Sequence, residues 1–142
     1  MIVSNISNKV IGMIKQHEGF RDKPYRCTAG KLTIGYGRNL DDVGISKREA
    51  TVLLYNDILE ATEAVRVIFS GFEFDEFSEN RQSALIDMMF NLGRYRFIKF
   101  KKMITAIRCK DWNEAADQAK DSRWFYQVGE RGVNVVRLLR EG

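Results

Sequence analysis

Three side chains near the start of the chain have types and spacing suited to acid-assisted bond cleavage. They are Glu18, Cys27 and Thr33, in the pattern Glu-x8-Cys-x5-Thr. A carboxyl delivers a proton to a leaving group, and a hydroxyl both donates to and accepts from a water molecule. Glu18 ends an amphipathic stretch and directly precedes Gly19. At a helix C-terminus the partial negative charge favours a neutral carboxyl, the direction a general acid needs. Thr33 lies in the Gly-punctuated run Thr33-Ile34-Gly35-Tyr36-Gly37. Cys27 is chemically the least defined of the three, because an ordinary thiol, with a pKa of about 8.5, is mostly neutral at pH 7. Three readings compete: a partly ionised thiolate helped by Arg26 or Lys31, a passive polar contact to water, or a small semi-buried residue with no role. His17, the lone histidine, adjoins Glu18 but points about 100° away around a helix, and Cys109 reads as plain packing.

The elements that must position these groups follow from periodicity and punctuation. Val10, Ile11, Met13 and Ile14 predict a helix from about residue 4 to 17, closed by Gly19 in a left-handed conformation. From Phe20 to Leu40, Pro24, Gly30, Gly35 and Gly37 break any helix, while Tyr25, Leu32, Ile34 and Tyr36 favour extended structure. A small antiparallel sheet with a turn near Ala29-Gly30 is expected. Ser46-Lys47-Arg48-Glu49 is a capping box that opens a long helix running to about Phe69. Further helices are expected at about 80–92, 97–108, 111–121 and 130–140, with the aromatic stretch Phe69 to Phe77 in the core. The class is therefore α+β: a small antiparallel β lobe joined by a long helix to a mainly helical lobe.

Composition narrows the function classes. The chain has 142 residues, is 44% hydrophobic and carries a formal charge of +4. That is enough for one core and fits attraction to an anionic polymer. The basic residues are spread, with no block of five or six like charges and no aromatic–basic module, so no nucleic-acid partner is expected. Two cysteines make no disulfide framework, and no Cys/His spacing suggests a metal. No apolar run is long enough for membrane insertion, and residues 1–13 lack the continuous apolar stretch of a signal peptide.

The triplet with its Thr-Ile-Gly-Tyr-Gly tail resembles the active-site signature of the phage-type, T-even-like lysozymes of glycoside hydrolase family 24, in a Cys-bearing variant. The stretches Ala84 to Gly93, Trp112 to Ala116 and Ser122 to Gln127 are similar to the family's later signatures. The resemblance spans nearly the whole chain. It departs in a shorter connection from Thr33 to Ser46 and an early C-terminus at Gly142. It implies one lysozyme-like domain over residues 1–142, with a β lobe at about 19–45, a connecting helix at about 46–69, and a helical lobe at about 70–142 joined by the N-terminal helix 4–17. It further implies an endolysin that hydrolyses the β-1,4 bond between N-acetylmuramic acid and N-acetylglucosamine with inversion. Glu18 would be the acid, Thr33 would hold the water beside Cys27, and Arg131 would orient Glu18. Asn91, Trp124, Gln127 and Arg131 would line the saccharide cleft. No cofactor or metal is implied. Bacterial peptidoglycan is the expected partner, the protein a monomer, and its location the host cytoplasm until a holin-type pore opens. A lytic transglycosylase, and an inactive wall-binding or tail-associated module, remain as alternatives.

Overall fold

Ser7 caps the first helix, its hydroxyl accepting from the Lys9 N–H at 3.1 Å, so that α1 runs Asn8–Glu18. The computed structural model describes residues 5–142, and Ser4, the expected start, lies outside them. Gly19 closes α1 by donating its N–H to the Lys15 carbonyl at 2.9 Å. Its φ of 70° is positive as expected, but its ψ of 159° is extended rather than left-handed helical. The chain leaves the helix at once in strand geometry, with Glu18 as the last helical residue.

The chain divides into two compact units, Met1–Thr51 and Val52–Gly142. The first holds α1 and a three-stranded antiparallel sheet of β1 (Arg21–Arg26), β2 (Leu32–Gly35) and β3 (Arg38–Asn39), in that order. Pro24 is tolerated inside β1 because β1 is an edge strand, where a missing N–H costs no ladder bond. The β1–β2 pairing is irregular around it, stepping from Arg21 opposite Gly35 to Tyr25 opposite Thr33. The connecting turn forms where Ala29-Gly30 predicts it. Gly30 donates to the Cys27 carbonyl at 2.8 Å, and Cys27 donates to the Lys31 carbonyl at 3.0 Å. Gly30 at φ 78° supplies the positive angle that a three-residue hairpin loop requires.

The capping box opens α2 (Lys47–Ile68). Glu49 donates its N–H to the Ser46 hydroxyl at 3.1 Å, and its carboxylate accepts the Ser46 N–H at 2.9 Å. Arg38, on β3, reaches the same carboxylate with two nitrogens, at 2.8 and 2.6 Å. One ion pair therefore ties the last strand to the start of the long helix.

The second unit is helical. After α2 come a short 3-10 turn at Phe74–Glu76, then α3 (Glu79–Leu92), α4 (Arg94–Phe97), α5 (Lys101–Arg108), α6 (Trp112–Lys120), α7 (Arg123–Val128) and α8 (Glu130–Glu141). The expected single helix over 97–108 is interrupted at residues 98–100. The break sends Phe97 fully into the core and sets Phe100 edge-on to Trp124, 6.2 Å between centroids. The core of this unit is apolar throughout and includes Val65, Leu85, Met88, Ile107, Val135 and Leu139, with Phe69, Phe74 and Phe77 buried as the aromatic stretch predicts. Helix α7 was not separately legible. Ser122 caps it by accepting the Phe125 N–H at 3.2 Å. The α+β architecture of mostly helix with one small antiparallel sheet stands.

Candidate active site

In the first unit the sheet sets the geometry. Tyr25 pairs with Thr33 across β1 and β2, so strand alternation puts Cys27, two residues on, on the same face as Thr33. Thr33 is the only buried polar residue among those described, at 4% exposure. Its hydroxyl donates to the Lys31 carbonyl at 2.8 Å. The single hydroxyl hydrogen is thereby used, and the oxygen's free lone pairs can only accept, from a water or from the Cys27 thiol.

The Cys27 thiol is held below its ordinary value. The largest cause is the Lys31 backbone, then that of Ala29, with a smaller contribution from the Thr33 hydroxyl and burial opposing them. The expected help from neighbouring cations is not what the structure provides. Arg26 is spent on Asp41 at 3.3 Å and on the Gly30 carbonyl at 3.1 Å. Lys31 pairs with Asp42 at 3.1 Å. The backbone of the turn favours the thiolate instead. Asp41 is a tie rather than a reacting acid, accepting the Leu32 N–H at 2.7 Å.

Glu18 lies over the β2–β3 turn. A Cβ built on Gly37, whose φ is 80°, would fall 2.7 Å from Glu18 Oε2 and 3.0 Å from its carboxyl carbon. A side chain there would have a strained φ and would have to displace that carboxylate, which gives the last letter of the Thr-Ile-Gly-Tyr-Gly run a physical reason. Tyr36, in the same turn, packs its ring 5.5 Å from that of Phe20 and lies under the Lys15 ammonium at 5.5 Å. The turn that faces Glu18 is thus tied to α1 on both sides of the acid.

In the second unit Asn91 accepts the Trp124 indole N–H through its Oδ1 at 2.9 Å. Asn91 is exposed and keeps its amide N–H groups for an outside acceptor, while Trp124 is buried at 4% exposure. The expectation that Trp124 lines a saccharide cleft is corrected on that ground. Its ring is packed on Phe100 and offers no face to a sugar, and its indole positions Asn91. Gln127 is exposed near the end of α7. Arg131, in the first turn of α8, gives its Nε to Asp87 Oδ2 at 3.3 Å. The two line an open groove of about 390 Å³ with Leu54, Ile58, Ser83, Ile86 and Phe90. Asp87 precedes Asn91 by one helical turn and so shares its side of α3. Sequence reasoning missed Asp87, although an acid interrupting the apolar run from Ala84 to Phe90 was the available signal. Gly132 sets the position of α8, since a Cβ there would sit 2.9 Å from the Phe125 carbonyl. Among the described residues no group of three or more His, Cys, Asp or Glu side chains is placed to hold a metal ion.

Comparison with known proteins agrees with these elements. The chain is 28% identical over 158 residues to "Probable T4-type lysozyme 2" of Dictyostelium discoideum, covering 92% of each chain. It is 33% identical over 97 residues to an endolysin of Acyrthosiphon pisum secondary endosymbiont phage 1, covering 66% of this chain and 63% of that one. It is also 27% identical over 156 residues to the pre-baseplate central spike protein Gp5 of Enterobacteria phage T4, covering 92% of this chain but only 27% of that protein. The phage lysozyme family model matches residues 15–140, which include Glu18, the sheet and all the helices after it. A chain matched over that length belongs to the phage lysozyme family and is a peptidoglycan-degrading glycoside hydrolase.

Proposed function

We propose that the protein is a muramidase that hydrolyses the β-1,4 bond between N-acetylmuramic acid and N-acetylglucosamine, with Glu18 as the general acid. The observation that carries this reading is the fit of the Glu18 carboxylate against Gly37, in the turn that ends the strand bearing Thr33. Cleavage of a glycosidic bond needs a proton on the leaving oxygen and a group to handle the water that attacks the oxocarbenium-like centre. Glu18 supplies the proton. Thr33 takes the water as an acceptor, since its own hydrogen goes to Lys31. Cys27, on the same sheet face, adds negative character beside that water in proportion to its ionised fraction. Asn91, Gln127 and Arg131 bind the glycan, and the Asp87 carboxylate, 3.3 Å from the Arg131 Nε, holds that guanidinium in place.

The test is digestion of purified peptidoglycan by the wild type and by Glu18→Gln, with products read by mass spectrometry. Glu18→Gln keeps the shape but has no proton to transfer, and activity should fall by about a hundredfold or more. Full activity in that variant would overturn the assignment. Reducing-end muramic acid marks hydrolysis, whereas a 1,6-anhydro end would assign the chain to the lytic transglycosylases. The relatives named endolysins fit a lytic role, and in this reading the protein is made in the host cytoplasm and reaches the wall through a separate holin-type pore. The match to the central spike protein favours a second reading, a lysozyme unit that acts within a phage tail. Detection of the chain in purified phage particles decides for the second reading, and its absence from them decides for the first.

A further inference from the structure

The segment Arg94 to Lys102 carries Arg94, Arg96, Lys99, Lys101 and Lys102 with no acidic residue among them. All five are exposed, and among the described residues none of the five forms an ion pair. Arg94 turns toward a groove shared with Asp57 and Glu60. The three lysines gather elsewhere. Lys99, Lys101 and Lys102 line one groove with Gln118, Asp121 and Ser122, and Lys99 lies over the Tyr95 ring at 5.5 Å. Asp121 is the one carboxylate in that groove.

Two features set this patch apart from an ordinary solvated face. Lys101 and Lys102 occupy the first turn of the eight-residue helix α5, which holds no acidic residue and has no side-chain cap. The positive end of a helix favours anions, so two lysines there oppose the local rule, at a cost to folding. Local rules are broken where function demands it. Apolar groups also stand among the cations, with Tyr95 79% exposed and Ile98 45% exposed. A phosphate polymer would use the charges and leave Ile98 in water. A headgroup layer takes both, with lysines at the phosphates and the tyrosine and isoleucine at the acyl boundary.

We propose that the surface formed by Tyr95, Ile98, Lys99, Lys101 and Lys102 docks the protein on anionic phospholipid headgroups. It stands apart from the catalytic reading, because it is read by vesicle binding alone. The experiment is co-sedimentation of the full chain with vesicles of one part phosphatidylglycerol to three parts phosphatidylcholine, and with phosphatidylcholine alone. Binding should be at least about tenfold tighter to the anionic vesicles and should weaken with salt. Lys99→Glu/Lys101→Glu/Lys102→Glu should lose at least about tenfold in that binding. Lys101→Gln/Lys102→Gln relieves the helix terminus, should fold at least as stably as wild type, and carries the test if the triple variant does not fold. Equal binding to both vesicle types, or unchanged binding by that neutral pair, would overturn the proposal. Tyr95→Ser/Ile98→Ser should weaken vesicle binding while leaving binding to long-chain polyphosphate intact. Vesicle binding unaffected by that change would overturn the lipid assignment in favour of a general polyanion site.

Discussion

At the scale of single residues, the chemistry turns on where one hydrogen and one sulfur charge reside. Thr33 gives its hydrogen to the Lys31 carbonyl, so the motif's hydroxyl acts as an acceptor, and its burial restricts it to one well-defined contact. Cys27 faces a backbone that favours its thiolate over the neutral thiol. The pH dependence of alkylation at Cys27, followed by peptide mass spectrometry, should therefore have its midpoint below the value of an ordinary thiol. The sign follows from the cause: groups that stabilise the charged form lower the pH at which it appears. Thr33→Val removes one of those groups and should move the midpoint upward by a smaller amount than the whole shift. A midpoint at or above the ordinary value would remove any thiolate role. Asn91 and Trp124 show the same logic with neutral partners. The indole gives up its own access to solvent and holds the Asn91 amide by a part-buried bond.

At the scale of elements, one turn and one cap each carry a prediction. The β2–β3 turn places Gly37 beneath Glu18, and Gly37→Ala should act twice, by a strained φ and by a Cβ driven into the carboxylate. Gly35→Ala shares the positive φ, at 69°, but meets nothing within 4 Å. Both should lose about 1 kcal/mol or more of stability. Only Gly37→Ala should lower kcat, which thermal unfolding and wall-digestion rates measured together will separate. Equal kcat loss in both would mean that the contact with Glu18 is incidental. The capping box makes a different prediction. Hydrogen bonds from Arg38, then from the Ser46 backbone, hold the Glu49 carboxyl at about 2, below its ordinary 4.5. A group with a depressed folded value contributes stability above its unfolded value and loses it as pH falls through the folded one. Acid denaturation should therefore weaken the first unit between about pH 4.5 and 2, and Glu49→Gln should flatten that part of the stability profile.

These elements also show what the sequence could disclose. The capping box, the Ala29-Gly30 turn and the aromatic stretch were legible because each depends on residues a few positions apart. The break at residues 98–100 was not, since it follows from Phe97 and Phe100 seeking a core built by distant helices. The Arg131–Asp87 pair was missed for the same reason: its partners lie on α8 and α3. Trp124 read as a cleft residue until its burial was known.

At the scale of the whole molecule, the two units differ in what holds them. The second buries a continuous apolar core that includes Phe69, Leu85, Met88, Phe97 and Leu139. Among the described residues of the first, Thr33 alone is buried, and cohesion comes from the hairpin ladder, the Arg38–Glu49 pair and the contacts around Tyr36. Hydrophobic burial is the dominant favourable contribution to folding, whereas half-exposed ion pairs contribute about 1 kcal/mol or less. Opening free energies should therefore be unequal along the chain. Hydrogen exchange read by mass spectrometry should show amides of β1, β2 and β3 exchanging through a lower-energy opening than those of α3, α5 and α8. Lowering the pH from 4.5 to about 2 should widen the difference, because Glu49 is then progressively protonated and its tie from β3 to the start of α2 is lost. Equal protection of the strands and α3 would show that the sheet draws its stability from interactions other than those described. The apolar core of the second unit should keep α3, α5 and α8 protected while the strands open.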